Sequence, residues 1–422
     1  MKQVVILCGG LGTRLESEEP NLPKALHVVA KKTLLEWQIE SLGAGKFEIL
    51  LLIGLEENFE KFIGITTELQ ARHGHKIKLI TEKSRAGTAG SLKNIESQLN
   101  RKFIVLLGDI LFDAPIPQLL ATLEPSSFIS AWVRETDHPM DSDLVELNTN
   151  GKFNRFSKYP HKDFLQLRNP LGLTGIYAIR KSFVRKIPKD IFRDIPDQLN
   201  ALNTRQLKKC RGVVSLHSFR DVGTKKRFET AEEFLDTMKR KTRVTLVILD
   251  RDDTLMRDPI NNKQSRAKYN EAIVPKLKKI KSRGFKVIFM VASNQPAIAK
   301  GFTNFNNVID ENKKLEEWLS DQGVELGGIK ICPHHPNKGF IGENLQLKVD
   351  CRCRKPAPGM VIDFVREKGL NPIDLIVLGD SKFDFLLSRS LGCRFVWVRF
   401  GKPIHIMRNA YSLLRTVLVV KS

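Results

Sequence analysis

The chain has little that would place it in a membrane or outside the cell. Nowhere in its 422 residues is there a run of about eighteen apolar residues, which excludes a membrane-spanning helix of ordinary length. Met1-Lys2-Gln3 leads straight into a short strand-like run, Val4 to Leu7, without a secretory signal, and this predicts a cytoplasmic protein. Cysteine is scarce, at 6 residues. Cys8, Cys210 and Cys393 are scattered, and in a reducing compartment they read as small core residues rather than disulfide partners. No internal repeat or low-complexity tract is present. The net charge of +22 favours anionic partners such as phosphorylated metabolites. Aromatic residues are not interleaved with the basic ones, which argues against a nucleic-acid platform. Runs such as Lys276-Leu277-Lys278-Lys279 read as solvated helix faces.

The length predicts two or three domains. Short apolar runs alternate with amphipathic stretches nearly throughout. Val4–Leu7, Ile49–Ile53, Lys78–Ile80 and Phe103–Leu107 read as buried strands, with helix-like segments Leu34–Ala44 and Asn58–Arg72 between them. The alternation restarts at Val244–Leu249 and continues through Phe285–Val291, Gly328–Cys332, Leu375–Leu378 and Phe395–Val398. This predicts α/β architecture with parallel sheets in two Rossmann-like domains. A charged helix-like stretch, 226–243, lies between the two series. The expected domains are 1–235 and 243–400, with 401–422 as a C-terminal extension.

The first series opens with a strand followed by Gly9-Gly10-Leu11-Gly12-Thr13-Arg14-Leu15. Glycines let a backbone approach phosphates closely, and free amides at a strand–helix junction receive negative charge. Leu22-Pro23-Lys24-Ala25-Leu26 adds a lysine held by a proline turn. The loop lacks the Gly-Lys-Ser/Thr of the P-loop and the spacing of the dinucleotide fingerprint. Gly-Gly-x-Gly-Thr-Arg-Leu with Pro-Lys-x-Leu resembles the sugar-1-phosphate nucleotidyltransferases, which have a Rossmann-like (GT-A-like) fold. Gly87-Thr88-Ala89-Gly90-Ser91 resembles their base-contacting segment, Leu107-Gly108-Asp109 their metal-holding strand end, Thr174-Gly175-Ile176-Tyr177 their sugar-pocket strand and Arg220-Asp221-Val222-Gly223-Thr224 their closing Asp-Ile-Gly-Thr. The resemblance covers residues 1–235. It implies that Arg14 and Lys24 neutralise phosphates and that Asp109 and Asp221 hold Mg²⁺. It also implies that Gly9, Gly10, Gly12, Thr13, Gly87, Thr88, Lys158 and Gly175 contact substrate. The chain departs from the pattern at Phe156-Ser157-Lys158-Tyr159-Pro160, which has the lysine of the family's Glu-Lys-Pro without the glutamate.

The second series opens with the buried run Val244–Leu249, then Asp250-Arg251-Asp252-Asp253-Thr254. Two carboxylates spaced by two residues can flank one phosphorus, one attacking it and the other moving protons. Ser293-Asn294-Gln295, Arg354-Lys355-Pro356 and Gly379-Asp380-Ser381 with Asp384 complete a phosphate-handling set. Between them lie Cys332-Pro333-His334-His335-Pro336 and Cys351-Arg352-Cys353, an N/S donor set that suits zinc. The whole resembles the haloacid dehalogenase phosphatases. Its zinc-type loop resembles most the D-glycero-D-manno-heptose 1,7-bisphosphate 7-phosphatases, over residues 243–400. The resemblance implies a nucleophile, Asp250, and an acid/base, Asp252. It implies phosphate or sugar contacts from Thr254, Ser293, Asn294, Arg354 and Lys355. Mg²⁺ would sit on Asp250, Asp252 and Asp380, and structural zinc on Cys332, His334, Cys351 and Cys353. Asp253 stands where the family has glycine, adding a negative charge beside the nucleophile.

Together the resemblances imply a bifunctional enzyme. One half would dephosphorylate a heptose bisphosphate, and the other would transfer a nucleotidyl group, most simply GMP from GTP, to the heptose 1-phosphate. The alternative is a mannose- or glucose-type sugar-1-phosphate nucleotidyltransferase whose phosphatase half is impaired or acts on histidinol phosphate. Small-molecule substrates are expected, with neither nucleic acid nor membrane as partner. Both a monomer and a homo-oligomer stay open.

Overall fold

The computed structural model describes residues 1–10, 22–43, 47–136, 138–161, 166–257, 267–282 and 286–402. The expected phosphate contacts Gly12, Thr13 and Arg14, and all but the first two residues of the expected 401–422 extension, lie outside the described residues. The chain divides into two compact units, Met1–Lys241 and Thr242–Ser422.

The charged boundary stretch forms two helices, Lys225–Glu229 and Ala231–Arg240. Ala231 and Leu235 are buried with Val29, Leu34, Leu111 and Val222. The polar residues Glu232, Glu233, Lys239 and Arg240 face solvent. One apolar face therefore holds this segment on the first unit, which runs on to Lys241 instead of ending at 235.

The first unit is built on a nine-stranded sheet. Lys2–Leu7 lies parallel between Phe47–Leu52 and Lys102–Leu107, and Lys76–Ile80 extends the parallel side. Val4, Val5 and Ile6 are all fully buried, as expected of a strand covered on both faces. Helices Leu34–Ser41 and Phe59–His73 supply Leu35, Ile39, Phe62 and Leu69 to the core on one face. The other half of the sheet departs from the expected parallel order. Leu171–Arg180 runs antiparallel to Lys102–Leu107, Ile129–Arg134 and Leu144–Leu147. Leu144–Leu147 and Phe153–Ser157 form a hairpin. Its turn is closed by Asn148, whose Oδ1 accepts the Asn150 and Lys152 N–H groups, and by Gly151 at φ +71°. So short a connection leaves no room for the crossover helix that a parallel pair needs.

The second unit is a five-stranded sheet, in the order Leu326–Cys332, Val287–Asn294, Thr242–Leu249, Leu370–Gly379, Arg394–Trp397. All pairs are parallel. The chain winds outward from Thr242–Leu249 first to one side and then to the other, so the order reverses at this strand. In such sheets the crevice for a ligand opens beyond the carboxyl ends of the strands at that point. Asp250, Asn294 and Asp380 sit there. Among the described residues no helix is long and apolar enough to cross a membrane.

One buried group of the first unit makes its stability depend on pH. His75 is 3% exposed, edge-on to Phe47 at 5.4 Å and stacked on His73 at 6.0 Å. Neither of its ring nitrogens has a partner among the described residues. Burial, and then His73, lowers its pKa, so the folded chain keeps the ring neutral. The unfolded chain protonates near pH 6.5. Stability is thus present above about pH 6.5 and is lost as the pH falls below it. In urea unfolding, the first unit's midpoint is expected to drop between about pH 7 and about pH 5. His75→Phe should flatten that slope and, by removing two unpaired nitrogens, add roughly 1 kcal/mol at pH 7. An unchanged slope in the variant would assign the titration to another group.

Candidate active sites

In the first unit the strand ends Leu7 and Leu107 lie side by side. A Cβ on Gly108 would lie 2.7 Å from the Leu7 carbonyl oxygen, and one on Gly9 would lie 3.0 Å from Gly54 Cα. Glycine at both places lets these loops close on one another. Asp109 follows Gly108. Lys24, on the single turn Lys24–Leu26 entered through Pro23, donates from Nζ to Asp109 Oδ2 at 3.1 Å. Asp221 ends a strand paired with Ile110–Phe112, and the Val222 N–H donates to the Asp109 carbonyl, so the two aspartates are neighbours. Gly223 sits in their midst: a Cβ there would be 2.8 Å from Asp221 Oδ1, 3.1 Å from Asp109 Oδ2 and 3.1 Å from Lys24 Nζ. The surrounding protein, and then the Asp109 charge, raises the Asp221 carboxyl. Lys24 meets Asp109 and Arg227 Nη1 meets Asp221 at 3.0 Å, and the two neighbouring carboxylates offer the hard oxygen donors that Mg²⁺ takes.

Two adjoining cavities open here. The first, about 460 Å³, is lined by Gly9, Gly10, Lys24, Glu82, Arg85, Gly87, Thr88 and Asp109, among others. The second, about 980 Å³, shares Thr88, Leu107 and Asp194 with it and continues to Lys158, Gly175, Tyr177 and Asp221. Gly87, at φ +73°, starts the helix Gly87–Asn94, but the amides of that first turn already have partners. The Arg193 carbonyl accepts from Ala89 and Gly90, and Asp194 Oδ1 accepts from the N–H and hydroxyl of Thr88. The expected base-contacting segment therefore offers its edge to the cavity, with these donors held by residues 193–194. Lys158 is paired with Asp197. The sequence reasoning missed Asp194 and Asp197, which follow no phosphate motif.

In the second unit, Lys355 Nζ lies 2.7 Å from Asp250 Oδ1 and 2.6 Å from Asp384 Oδ1, and the lysine is 3% exposed. Burial opposes its charge, but Asp250 and Asp384 outweigh that and raise its pKa. Asp250, Asp380 and Asp384 each offer an oxygen within 4.8 Å of the others. Asp384 reaches in because Gly379 has no side chain; a Cβ there would lie 2.4 Å from Asp384 Cγ. Three carboxylates around one lysine suit a divalent cation. The expected cation set named Asp252 in place of Asp384, and the side chains are arranged otherwise. Asp252 Oδ1 accepts from Arg251 Nε at 3.0 Å and pairs with Nη2 at 2.9 Å. Its Oδ2 accepts from Gln295 Nε2 at 2.7 Å and Ser293 Oγ at 3.4 Å. Arg251 is fully buried and donates from Nη1 to Asn312 Oδ1 on the helix Phe305–Asp321, which fixes its guanidinium and turns Asp252 aside.

The other expected phosphate contacts are distributed by burial. Asn294 brackets the Lys355 backbone, accepting its N–H at 2.9 Å and donating to its carbonyl at 3.1 Å. It positions that lysine. Thr254 and Ser293 are fully buried; Ser293 Oγ accepts from Gln295, and Thr254 Oγ1 has no partner among the described residues. Gln295 and Asp384 were legible within their motifs but carried no assigned role. Arg354 donates from Nη1 to the His334 carbonyl at 3.0 Å.

Strand Leu326–Cys332 brings Cys332 to its carboxyl end. There Cys332, Cys351 and Cys353 Sγ lie 3.3–3.6 Å apart, and His334 Nδ1 lies 3.3 Å from Cys353 and 3.6 Å from Cys332. Tetrahedral zinc with bonds of about 2.3 Å to sulfur has edges of about 3.7 Å, so the four donors fit it. His335 instead turns to the Asn337 carbonyl. Hydrogen bonds from Cys332, Cys351 and His334 pull the Cys353 thiol down to about 5, while Cys332 is pushed up as the partner that keeps its proton.

Gly223→Ala should therefore separate the activities. A methyl among Asp221, Asp109 and Lys24 is expected to cut nucleotidyl transfer by on the order of 100-fold while phosphate-ester hydrolysis by the same chain is unchanged. Loss of both would indicate misfolding. At the second site, burial, then Asp384, then Asp253, pushes Asp380 up to about 6. A cation must displace that proton, so Mg²⁺ or Mn²⁺ affinity should weaken as the pH falls below about 6. Asp253, at φ +52°, occupies a backbone conformation that suits glycine. Asp253→Gly should move the break in cation affinity to lower pH; no movement would remove Asp253 from the cause.

Comparison with known proteins agrees with this division. The Nucleotidyl transferase family model matches residues 3–238. The D-glycero-beta-D-manno-heptose-1,7-bisphosphate 7-phosphatase of Haemophilus influenzae is 32% identical over 167 residues, 37% of this chain and 83% of that protein. The histidine biosynthesis bifunctional protein HisB of Campylobacter jejuni is 28% identical over 161 residues, 37% of this chain and 42% of that protein. Among solved structures, HddC from Yersinia pseudotuberculosis, complexed with GMP-PN, aligns with a TM-score of 0.44 at 22% identity, over 56% of this chain and 100% of that one. Joining a nucleotidyltransferase to a phosphomonoester hydrolase, the chain belongs to the nucleotidyl transferase family over residues 3–238 and, in its C-terminal part, to the D-glycero-beta-D-manno-heptose-1,7-bisphosphate 7-phosphatase family.

Proposed function

We propose that the chain carries out two consecutive steps toward a nucleotide-activated heptose. The observation that carries this reading is Lys355 between Asp250 and Asp384, beside the Cys332/His334/Cys351/Cys353 cluster, in a unit whose relatives are named for a heptose 1,7-bisphosphate. Asp250 attacks the 7-phosphorus, the bond to the sugar oxygen breaks, and an aspartyl-phosphate forms while that oxygen takes a proton from Asp252. Water then attacks the phosphorus as Asp252 takes its proton, releasing phosphate and heptose 1-phosphate. Arg251 and Gln295 donate to Asp252 and hold its carboxyl group in place for both proton transfers. Lys355 balances the charge of the phosphoryl group. Asp250, Asp380 and Asp384 are the residues that would hold Mg²⁺, which supplies further charge neutralisation when bound.

In the first unit the sugar phosphate oxygen attacks the α-phosphorus of a nucleoside triphosphate and pyrophosphate leaves. This requires alignment and charge neutralisation and no protein nucleophile. Lys24 supplies one cation, and Asp109 and Asp221 would hold Mg²⁺. GTP is the proposed donor, on the resemblance of Gly9–Leu15 and Gly87–Ser91 to heptose-1-phosphate guanylyltransferases. Zinc on the Cys/His cluster is proposed as structural, with all four positions taken by protein. Small-molecule sugar phosphates and nucleotides as substrates support a proposed cytoplasmic location. The HisB likeness favours histidinol phosphate as the competing ester.

The test is a coupled assay on the whole chain with Mg²⁺ and heptose 1,7-bisphosphate, each anomer separately, offered GTP, ATP, CTP or UTP. Phosphate release followed by GDP-heptose is expected, with histidinol phosphate turned over far more slowly. Asp250→Asn should abolish phosphate release and leave transfer to supplied heptose 1-phosphate intact. Phosphate release with no sugar nucleotide from any triphosphate would overturn the coupled reading.

A further inference from the structure

Within the larger cavity of the first unit, one carboxylate differs from the rest. We propose that Asp143 is the specificity residue of the sugar pocket, taking hydroxyls of the substrate's carbon chain on its free carboxylate oxygen. The inference rests on the reading of this unit as a sugar-1-phosphate nucleotidyltransferase and supplies the acceptor for the sugar itself.

The other acidic side chains lining this cavity are engaged by protein. Asp141 is paired with Arg227. Asp221 takes the Gly223 N–H and Arg227 Nη1 beside Asp109. Asp194 holds Thr88 and caps the helix Ile195–Asn200. Asp143 has a different arrangement. Its Oδ1 accepts the Tyr159 N–H at 3.0 Å, and Oδ2 has no partner among the described residues. Its own carbonyl accepts the Leu173 N–H at 3.0 Å, tying it to the strand Leu171–Arg180 that also carries Thr174 and Gly175. It directly precedes Leu144–Leu147, whose Leu144 pairs with Ser157. The backbone of Asp143 is thus fixed in the sheet, Tyr159 holds one of its carboxylate oxygens, and the residue lines the cavity.

The chemistry of an acceptor-only group selects the ligand. A carboxylate repels phosphate and accepts O–H donors, often two from adjacent hydroxyls. Lys226 lines the same cavity and suits the phosphate. A polyol phosphate meets both demands. Burial raises the Asp143 carboxyl, in keeping with a group whose water an incoming hydroxyl would replace.

The experiment is steady-state nucleotidyl transfer by the full chain and its Asp143→Ala and Asp143→Asn variants, on heptose, mannose and glucose 1-phosphates and a deoxy analogue of the preferred sugar. Asp143→Ala is expected to raise KM for the sugar phosphate on the order of 10- to 100-fold, with KM for the nucleoside triphosphate and the phosphatase rate unchanged. The deoxy analogue lacking the bonded hydroxyl should lose ground with the parent chain but not with Asp143→Ala. Asp143→Asn keeps the shape and the Tyr159 contact, and it should show a smaller rise of the same kind. Sugar-phosphate KM unchanged in both variants, or rising in step with triphosphate KM, would overturn the proposal. A parent chain that prefers a hexose 1-phosphate would sink the heptose reading alone, since the Asp143 effect is then read on that sugar.

Discussion

In each unit carboxylates are held close together around a lysine, and the rest of the structure is arranged around that fact. Lys355 faces Asp250 and Asp384 with Asp380 close by. Lys24 faces Asp109, with Asp221 across Gly223 paired to Arg227. Like charges about 4 Å apart repel by roughly 4 kcal/mol at the effective dielectric of a protein surface. Side chains free to move would separate. These do not, because the acids follow directly on strand ends or are capped in a helix's first turn, as Asp384 is by Ser381. In the second unit, with three carboxylates around one lysine, the fold thus maintains an unmet demand for positive charge, the property a site needs if it is to take a cation together with an anionic substrate.

Holding carboxylates so close depends on what is missing between them. Gly379 and Gly223 are the points where a methyl group would touch the acids themselves, and Gly108 and Gly9 are where it would part the loops that carry them. The same logic explains Asp253, the one position where a non-glycine residue occupies a left-handed conformation beside the nucleophile. Arg257 Nε meets its carboxylate at 3.2 Å, which tempers the added charge, but half the side chain stays in water. The cost of Asp253 is therefore electrostatic and falls on Asp380.

Much of this was legible in the sequence, because apolar runs ending in Asp or Gly mark strand ends, and strand ends are where sheet proteins collect chemistry. The parallel strands of the second unit follow from those runs, although their order does not. The antiparallel half of the first sheet did not, since its hairpin turn at Asn148–Gly151 lies within a polar stretch without strong periodicity. The identities of the acids were readable but their directions were not. Nothing in Asp250-Arg251-Asp252 says that Arg251 is buried against Asn312 and draws Asp252 away from the cation group. That contact spans 61 residues and exists only once the helix Phe305–Asp321 has packed. Likewise the resemblance implied a phosphate contact from Asn294 but not that its amide is matched to the backbone of a lysine on another loop.

The proposed pair of reactions imposes a further demand, because they treat the two phosphates of one substrate oppositely. The second unit must remove the distal phosphate and spare the anomeric one that the first unit needs. Lys355 is buried between Asp250 and Asp384, and on the proposed reading the discrimination is assigned to a group that sits near it but is not buried with it. Arg354 is the adjacent residue, and its guanidinium is anchored to the carbonyl of His334. His334 is in turn one of the four clustered N/S donors. A metal on that cluster would fix the loop, the loop fixes the carbonyl, and the carbonyl sets where Arg354 points. On the proposed reading the Cys/His cluster would bear on which phosphate is cleaved without touching either one.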